Sequence, residues 1–316
     1  MLLDISDDDL EKYRDAKYPM RHVRDIASYL PTVMGHMFLG GQDKGDPLPW
    51  EKAHQIRFRP GEVTLWHGIN GHGKSALTTQ VAAWLAIRDR RSCIASFEML
   101  PERTIERMIK QVCGGANPHA TYLDEFFPAF KSRIFIYDRR DRVDRALLLR
   151  VIRYCAVEKG VSHFWVDSLM KCVAGEDDYN GQKDFVGDLC ALARETGLHI
   201  HLVHHVRKTG DESQVPNKFD AKGSGAITDQ VDNVLAVWRN KAKEASRQLG
   251  EAVDEGKPDF LLCCDKQRNG GWEGKIGLYG DVSCWHFREH QTQGFSRGYK
   301  LPEPAREPGQ DEQEAA

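Results

Sequence analysis

One octapeptide restricts the fold more than any other stretch of this chain: Gly68-Ile69-Asn70-Gly71-His72-Gly73-Lys74-Ser75, a complete GxxxxGKS. The pattern does its chemistry only where a strand runs into the loop and a helix leaves it. Both flanks comply, since Val63 to Trp66 reads as a strand and Ser75 to about Arg88 as a helix with Leu77, Val81, Trp84 and Leu85 on one face. In such a loop backbone N–H groups curl round phosphate oxygens and the helix N-terminus adds a favourable field. Gly68, Asn70, Gly71, His72, Gly73 and Ala76 are therefore expected to contact a nucleotide, with Lys74 on its β and γ phosphates and the Ser75 hydroxyl on Mg²⁺. ATP with Mg²⁺ is the expected ligand.

The rest of the chain alternates short apolar runs with amphipathic stretches, the pattern of an α/β domain with a largely parallel sheet. Strands are expected at Ser92 to Phe97, Arg133 to Tyr137, His163 to Asp167 and Leu198 to His204. Helices are expected from Pro101, which suits a first turn, over Arg142 to Val157, and from Gln182 to Glu195 with a stop at Gly197. Asn233 to Trp238, Asp259 to Cys264, Lys275 to Tyr279 and Ser283 to Phe287 read as strands with few long helices between them, which points to antiparallel edge strands. The Gly- and Pro-rich stretch from Gly40 to Pro49 marks a linker or long turn. Three regions result: 1–47, a short helical extension (Ser6 to Lys17) and linker; 48–287, the core; and 288–316, a polar tail expected to stay disordered. Docking of the short helix on a neighbouring subunit and plain solvation are both open.

Several classes are excluded by composition. A net charge of −3 leaves out a protein that coats nucleic acid, so any contact with DNA must be local. The eight cysteines form no CxxC pair and read as reduced core thiols rather than a metal or disulfide framework. No apolar run approaches the ~18 residues that span a bilayer, and the N-terminus is acidic, so a soluble cytoplasmic protein is expected.

Further chemistry sits at the ends of the expected strands. Asp167 closes the apolar run His163-Phe164-Trp165-Val166, two strands beyond the phosphate-loop unit, as a carboxylate supporting Mg²⁺ through water would. Glu98 closes another strand and is placed to orient or deprotonate an attacking water, with a helix-capping role as the alternative. His204, His205, Arg207 and Lys208 follow a third, and His205 is the expected sensor of the γ phosphate.

Taken together, GINGHGKS, SFEM (Ser96 to Met99), WVDS (Trp165 to Ser168), HHVRK (His204 to Lys208), GSGAITDQVDN (Gly223 to Asn233) and DKQRNG (Asp265 to Gly270) resemble the RecA-like ring helicases of replication forks, the DnaB and Twinkle group with its phage relatives. The resemblance covers about residues 48–287 and implies a RecA-like P-loop core. It also implies a homo-oligomer of hexameric size that moves 5′ to 3′ on single-stranded DNA. It makes Lys266 and Arg268 the cations delivered to a neighbour's nucleotide, Arg268 as the arginine finger, and sets Arg239 and Tyr279 beside the adenine. It directs single-stranded DNA to the stretches Lys171 to Lys183 and Arg207 to Ser224. Arg207, Lys208, Lys218 and Lys222 make the second one basic, whereas Glu176, Asp177 and Asp178 make the first a poorer fit. With only about 47 residues ahead of the core, priming is not expected here, and a separate primase or helicase loader is a possible partner. A recombinase-like filament ATPase and a regulatory or scaffold ATPase remain as alternatives.

Overall fold

A computed structural model describes residues 26–38, 45–139, 143–173, 178–206, 212–220, 225–291 and 298–304. Strands β1 (Asp46–Pro47) and β2 (Arg57–Phe58) form a small antiparallel pair. The main sheet holds β3 (Val63–His67), β4 (Ser92–Ser96), β5 (Ile134–Ile136), β6 (His163–Asp167), β7 (His199–Val203), β8 (Asn233–Arg239), β9 (Phe260–Gln267), β10 (Gly274–Asp281) and β11 (His286–Arg288). Their spatial order is β11-β10-β9-β8-β3-β7-β6-β4-β5. Pairing is parallel from β8 through β5 and antiparallel from β8 through β11, the mostly parallel sheet with antiparallel C-terminal edge strands that the patterning implied.

Every residue of β3, β6 and β7 is buried, as parallel strands covered on both faces require. Alternation along each strand divides the core in two. Trp66 and Trp165 face one apolar cluster, packed with Leu77, Val81 and Leu85 of α2 (Lys74–Ile87) and Met108 of α3 (Pro101–Cys113). Leu65, Phe164 and Val166 face the other, with Leu148 and Val151 of α5 (Arg145–Glu158) and Phe185 and Leu189 of α6 (Tyr179–Thr196). Between these lies α4 (Ala120–Phe130), which the sequence pattern did not disclose. All eight cysteines are free, and none of the described helices is long and apolar enough to cross a membrane.

Three other elements differ from expectation. The helix α1 (Leu30–Phe38) precedes the core and exposes Leu30, Val33, Met34 and Phe38. The short α7 (Gly225–Gln230) holds the GAITDQ part of the GSGAITDQ stretch, and α8 (Lys241–Gln248) separates β8 from β9. The latter has no apolar stripe to betray it; Asn240 caps it by accepting Lys243 N–H (3.0 Å). The expected Ser6 to Lys17 helix lies outside the described residues. Segment 298–304, assigned to a disordered tail, instead rests on the core, where Tyr299 N–H donates to Val112 O (2.7 Å) and its ring meets Trp84. The carboxyl ends of β3, β4, β6 and β7 fall on one edge, with Ser96 opposite Asp167 and Asp167 opposite Val203.

Gln80, fully buried in α2, ties that helix to the outermost strand. Its Oε1 accepts Phe287 N–H (2.8 Å), while its Nε2 donates to Phe287 O (2.9 Å) and Tyr299 Oη (2.7 Å). Replacing Gln80 by Leu leaves the buried Phe287 N–H without an acceptor, a loss of about 2 kcal/mol. Urea unfolding of Gln80→Leu should show a lowered midpoint at unchanged slope; a midpoint equal to wild type would mean that this tie carries no stability.

Candidate functional site

The phosphate loop follows directly from β3. A Cβ on Gly68 would strike the Val237 carbonyl oxygen of β8, so only glycine lets the chain leave the strand there. Gly73 takes a left-handed conformation (φ 86°) and lets α2 begin at Lys74. The loop is braced from behind by His72, whose buried ring accepts Arg239 N–H at Nδ1 (3.0 Å). Burial, reinforced by the Lys241 charge, pushes the His72 pKa down to about 4, so the brace is a neutral ring. His72 is thus a brace, and its own N–H donates to Ile69 O (3.3 Å) within the loop.

In front of the loop opens a cleft of about 740 Å³, lined by Asn70, Gly71, Gly73, Lys74, Ser75 and Ala76 and closed by Glu98, His205 and Arg239. All the loop positions expected at the phosphates except Gly68 and His72 thus face one space. Lys74 is buried, and its ammonium donates to the carbonyls of Gly68 (2.9 Å) and Ile69 (3.0 Å). Burial lowers its pKa to about 8 against the opposing charges of Asp167 and Glu98.

Asp167 ends β6 beneath the loop. Burial raises its pKa, while a hydrogen bond with the Ser75 side chain acts the other way. Its Oδ1 is buried without a hydrogen-bond partner among the described residues, a costly state for a carboxylate oxygen unless a cation or its waters meet it. Ser75 and Asp167 are hard oxygen donors, the set that fits Mg²⁺, which takes few protein ligands and keeps waters and phosphate oxygens. Among the described residues no group of three His, Cys, Asp or Glu side chains offers an all-protein metal site.

Glu98 is fixed on two sides. Its Oε1 accepts from Ser168 Oγ (2.6 Å) and from His205 Nε2 (3.2 Å). The His205 hydrogen bond, with Ser168 assisting against burial, holds the carboxyl down at about 2. It is thus ionised at any working pH, and both strand-end residues act as one unit.

Two residues that sequence reasoning missed also line the cleft. Arg107, on the inner side of α3, reaches both the cleft and the small cavity beside Ser75 and Asp167. Its Nη2 lies 2.9 Å from Met99 Sδ, and burial lowers its pKa while Asp167 opposes. Trp285 comes from the turn before β11, and the Arg239 guanidinium stacks over it (5.2 Å) while pairing with Glu244 (2.5 Å). Tyr279, expected beside the base with Arg239, does not line the cleft; its hydroxyl donates to Gly256 O (2.8 Å) and Lys243 lies over its ring. Trp285 stands there in its place. Arg107 could have been found by helical spacing from Pro101; Trp285 carried no signal.

Lys266 and Arg268 are not in the cleft. They lie by the C-terminus of α7, at the opposite edge of the sheet. Lys218 lines a separate hollow of about 340 Å³ with Phe219, Asp265 and Lys275. Arg207, Lys208 and Lys222 lie outside the described residues. Within Lys171 to Lys183, α6 already begins at Tyr179, and Asp178 is its cap, accepting Gly181 N–H (2.9 Å).

A glycine loop at a helix N-terminus, a buried lysine and a strand-end carboxylate define a nucleotide-binding domain of the P-loop class. Residues 41–211 match the AAA domain family, and the chain belongs to it. The DNA helicase/primase of Enterobacteria phage T3 is 23% identical over 206 residues, 58% of this chain and 36% of the phage protein. The chain thus spans about a third of that relative's length. Among solved structures, the ATPase domain of G40P superposes with a TM-score of 0.68 at 17% identity, covering 85% of this chain and 100% of that one. A DnaB-like replicative helicase studied with its primase superposes with a TM-score of 0.65 at 16% identity, covering 85% and 68%.

Lys74 gives this site a pH signature. A bound triphosphate favours the ammonium, so binding raises a pKa that stands at about 8 in the free protein. Affinity for ATP should be flat below pH 8 and fall above it by up to about tenfold per unit. Titration of a fluorescent ATP analogue checks this, and Lys74→Ala should abolish both binding and slope. An affinity constant to pH 9.5 would mean that Lys74 does not meet the phosphates.

Proposed function

We propose that this protein is an ATP-hydrolysing motor that assembles with copies of itself and translocates on single-stranded DNA as a replicative helicase. The observation that carries the reading is the gathering of Lys74, Ser75, Glu98 and His205 in one cleft, with Asp167 beneath it bonded to Ser75, while Lys266 and Arg268 stand at the far edge of the same sheet.

In the reaction, Glu98, held at Oε1 by Ser168 and His205, orients a water with its other carboxylate oxygen and takes its proton there as the water oxygen bonds to the γ phosphorus. The bond from that phosphorus to the bridging oxygen breaks, and ADP leaves with the electron pair. Lys74 and Arg107 meet the growing charge on the phosphate oxygens. Magnesium, when held by Ser75 and Asp167, would neutralise β and γ oxygens. Arg239 and Trp285 form the wall for the base. His205, bonded to Glu98 and one residue before Val206, links loss of the γ phosphate to the basic stretch that starts at Arg207.

The exposed apolar residues of α1 and the position of Arg268 support a homo-oligomer, hexameric by resemblance. The 5′ to 3′ direction rests on resemblance alone, as do a partner primase and a loader. DNA contacts are assigned to Arg207, Lys208, Lys218 and Lys222, which bind backbone phosphates without regard to sequence.

Glu98→Gln should bind ATP within about threefold of wild type but hydrolyse it about a hundredfold more slowly or worse. Single-stranded DNA should stimulate the wild-type rate several-fold and more weakly at high salt. Unaltered hydrolysis by Glu98→Gln removes it from the mechanism. Hydrolysis indifferent to DNA moves the reading to a regulatory ATPase, and filaments on DNA in micrographs move it to a recombinase-like one.

A further inference from the structure

Arg268 is held in an unusual way for a side chain at the rim of a sheet. Its backbone N–H donates to Asp232 O (2.9 Å), and its Nε lies 3.4 Å from Asp232 Oδ1. Its Nη2 donates to the carbonyls of Asp229 (2.9 Å), Gln230 (3.3 Å) and Val231 (3.4 Å). Lys266 Nζ caps the same turn through Thr228 O (2.7 Å) and Val231 O (2.8 Å). These are the carbonyls that the end of a helix leaves without intrahelical donors, and cations suit them.

Asp232 connects this arrangement to the strand that feeds the phosphate loop. It is buried, with 6% of its side chain exposed against 43% for Arg268. Its Oδ2 accepts Val63 N–H (3.0 Å), and its own N–H donates to Val63 O (2.9 Å). The turn after Arg268 is fastened alongside, since Asn269 Nδ2 donates to Glu62 Oε1 (2.7 Å). The guanidinium therefore sits at the start of β3, while the phosphate loop leaves from its end. The strand's five residues separate the two by roughly 13 Å at the ordinary rise.

We propose that Asp232 is the positioning residue of the Arg268 guanidinium: it fixes the guanidinium to the first residue of the phosphate-loop strand. The proposal rests on the reading of Arg268 as a group delivered to a neighbour's nucleotide. A guanidinium is a rigid planar fork on a flexible stem, and one buried carboxylate on Nε sets the plane of that fork and so the direction in which its terminal nitrogens meet a phosphate oxygen. The α7 carbonyls supply a resting place, which phosphate charge must compete for.

The test uses Asp232→Asn, which keeps an oxygen for Val63 N–H but removes the charge on Arg268. It should lower kcat by about ten- to a hundredfold while the KM for ATP changes less than about threefold, because an aim is lost and not a binding contact. Asp232→Glu should recover part of the rate. The decisive readout is subunit mixing: Asp232→Asn has an intact cleft and a misaimed finger, and Glu98→Gln the reverse. Rings co-assembled from these two slow variants should hydrolyse ATP several-fold faster than either alone. Arg268→Ala mixed with Glu98→Gln is the reference. If the reference mixture gains activity and the Asp232→Asn mixture does not, Asp232 has a structural role in its own subunit and the proposal is overturned. Wild-type turnover by Asp232→Asn overturns it equally. If the reference mixture itself gains nothing, the reading of Arg268 fails first and takes the proposal with it.

Discussion

A buried ammonium needs negative charge within reach, and the fold is arranged round that demand. Lys74 is 5% exposed and is answered by the Gly68 and Ile69 carbonyls and by the nearby charges of Asp167 and Glu98. Those two carboxylates reach it because β4 and β6 run parallel in a register that sets Ser96 beside Asp167. The same register leaves Glu98 two residues past the strand end, where Ser168 and His205 close on it. Displace one strand by a residue and the pleat turns Asp167 to the other face. The buried strands, the two-sided core and the phosphate loop thus express one constraint: a cation and two carboxylates brought to one sheet edge.

The residues legible in the sequence are those whose roles depend on local chain geometry. Gly68 to Ser75 announces itself because strand, loop and helix are contiguous, and Asp167 and Glu98 because each ends an apolar run. The sheet's division into parallel and antiparallel halves was legible for a similar reason, since helical periodicity disappears between most of the later strands. What remained hidden depends on distant partners. Trp285 reaches the cleft only because β11 folds back against α2 through Gln80, a pairing separated by 207 residues. Tyr279 illustrates the converse: its position in β10 fits the resemblance, but its hydroxyl is committed to Gly256. The helix α8 escaped notice because KAKEASRQ is polar on every face and is held by an Asn cap and ion pairs instead of a core.

The cations of the chain are divided between two places. Lys74 and Arg107 serve the cleft of their own chain, whereas Lys266 and Arg268 are held at the start of β3, away from it. Together with the apolar residues exposed on α1, this is what the proposed function would require of a chain that shares its catalytic site with another copy. On that proposal coupling between sites has a route, because the strand that carries the phosphate loop also anchors Arg268 through Asp232.

The measurement that tests this most directly is the hydrolysis rate per subunit as protein concentration is lowered through the range in which assemblies come apart, with sedimentation following their size. A site shared between copies requires the rate per subunit to fall steeply in step with dissociation. A rate per subunit that stays constant down to the monomer would contradict the account, since each chain would then be hydrolysing ATP with its own residues alone.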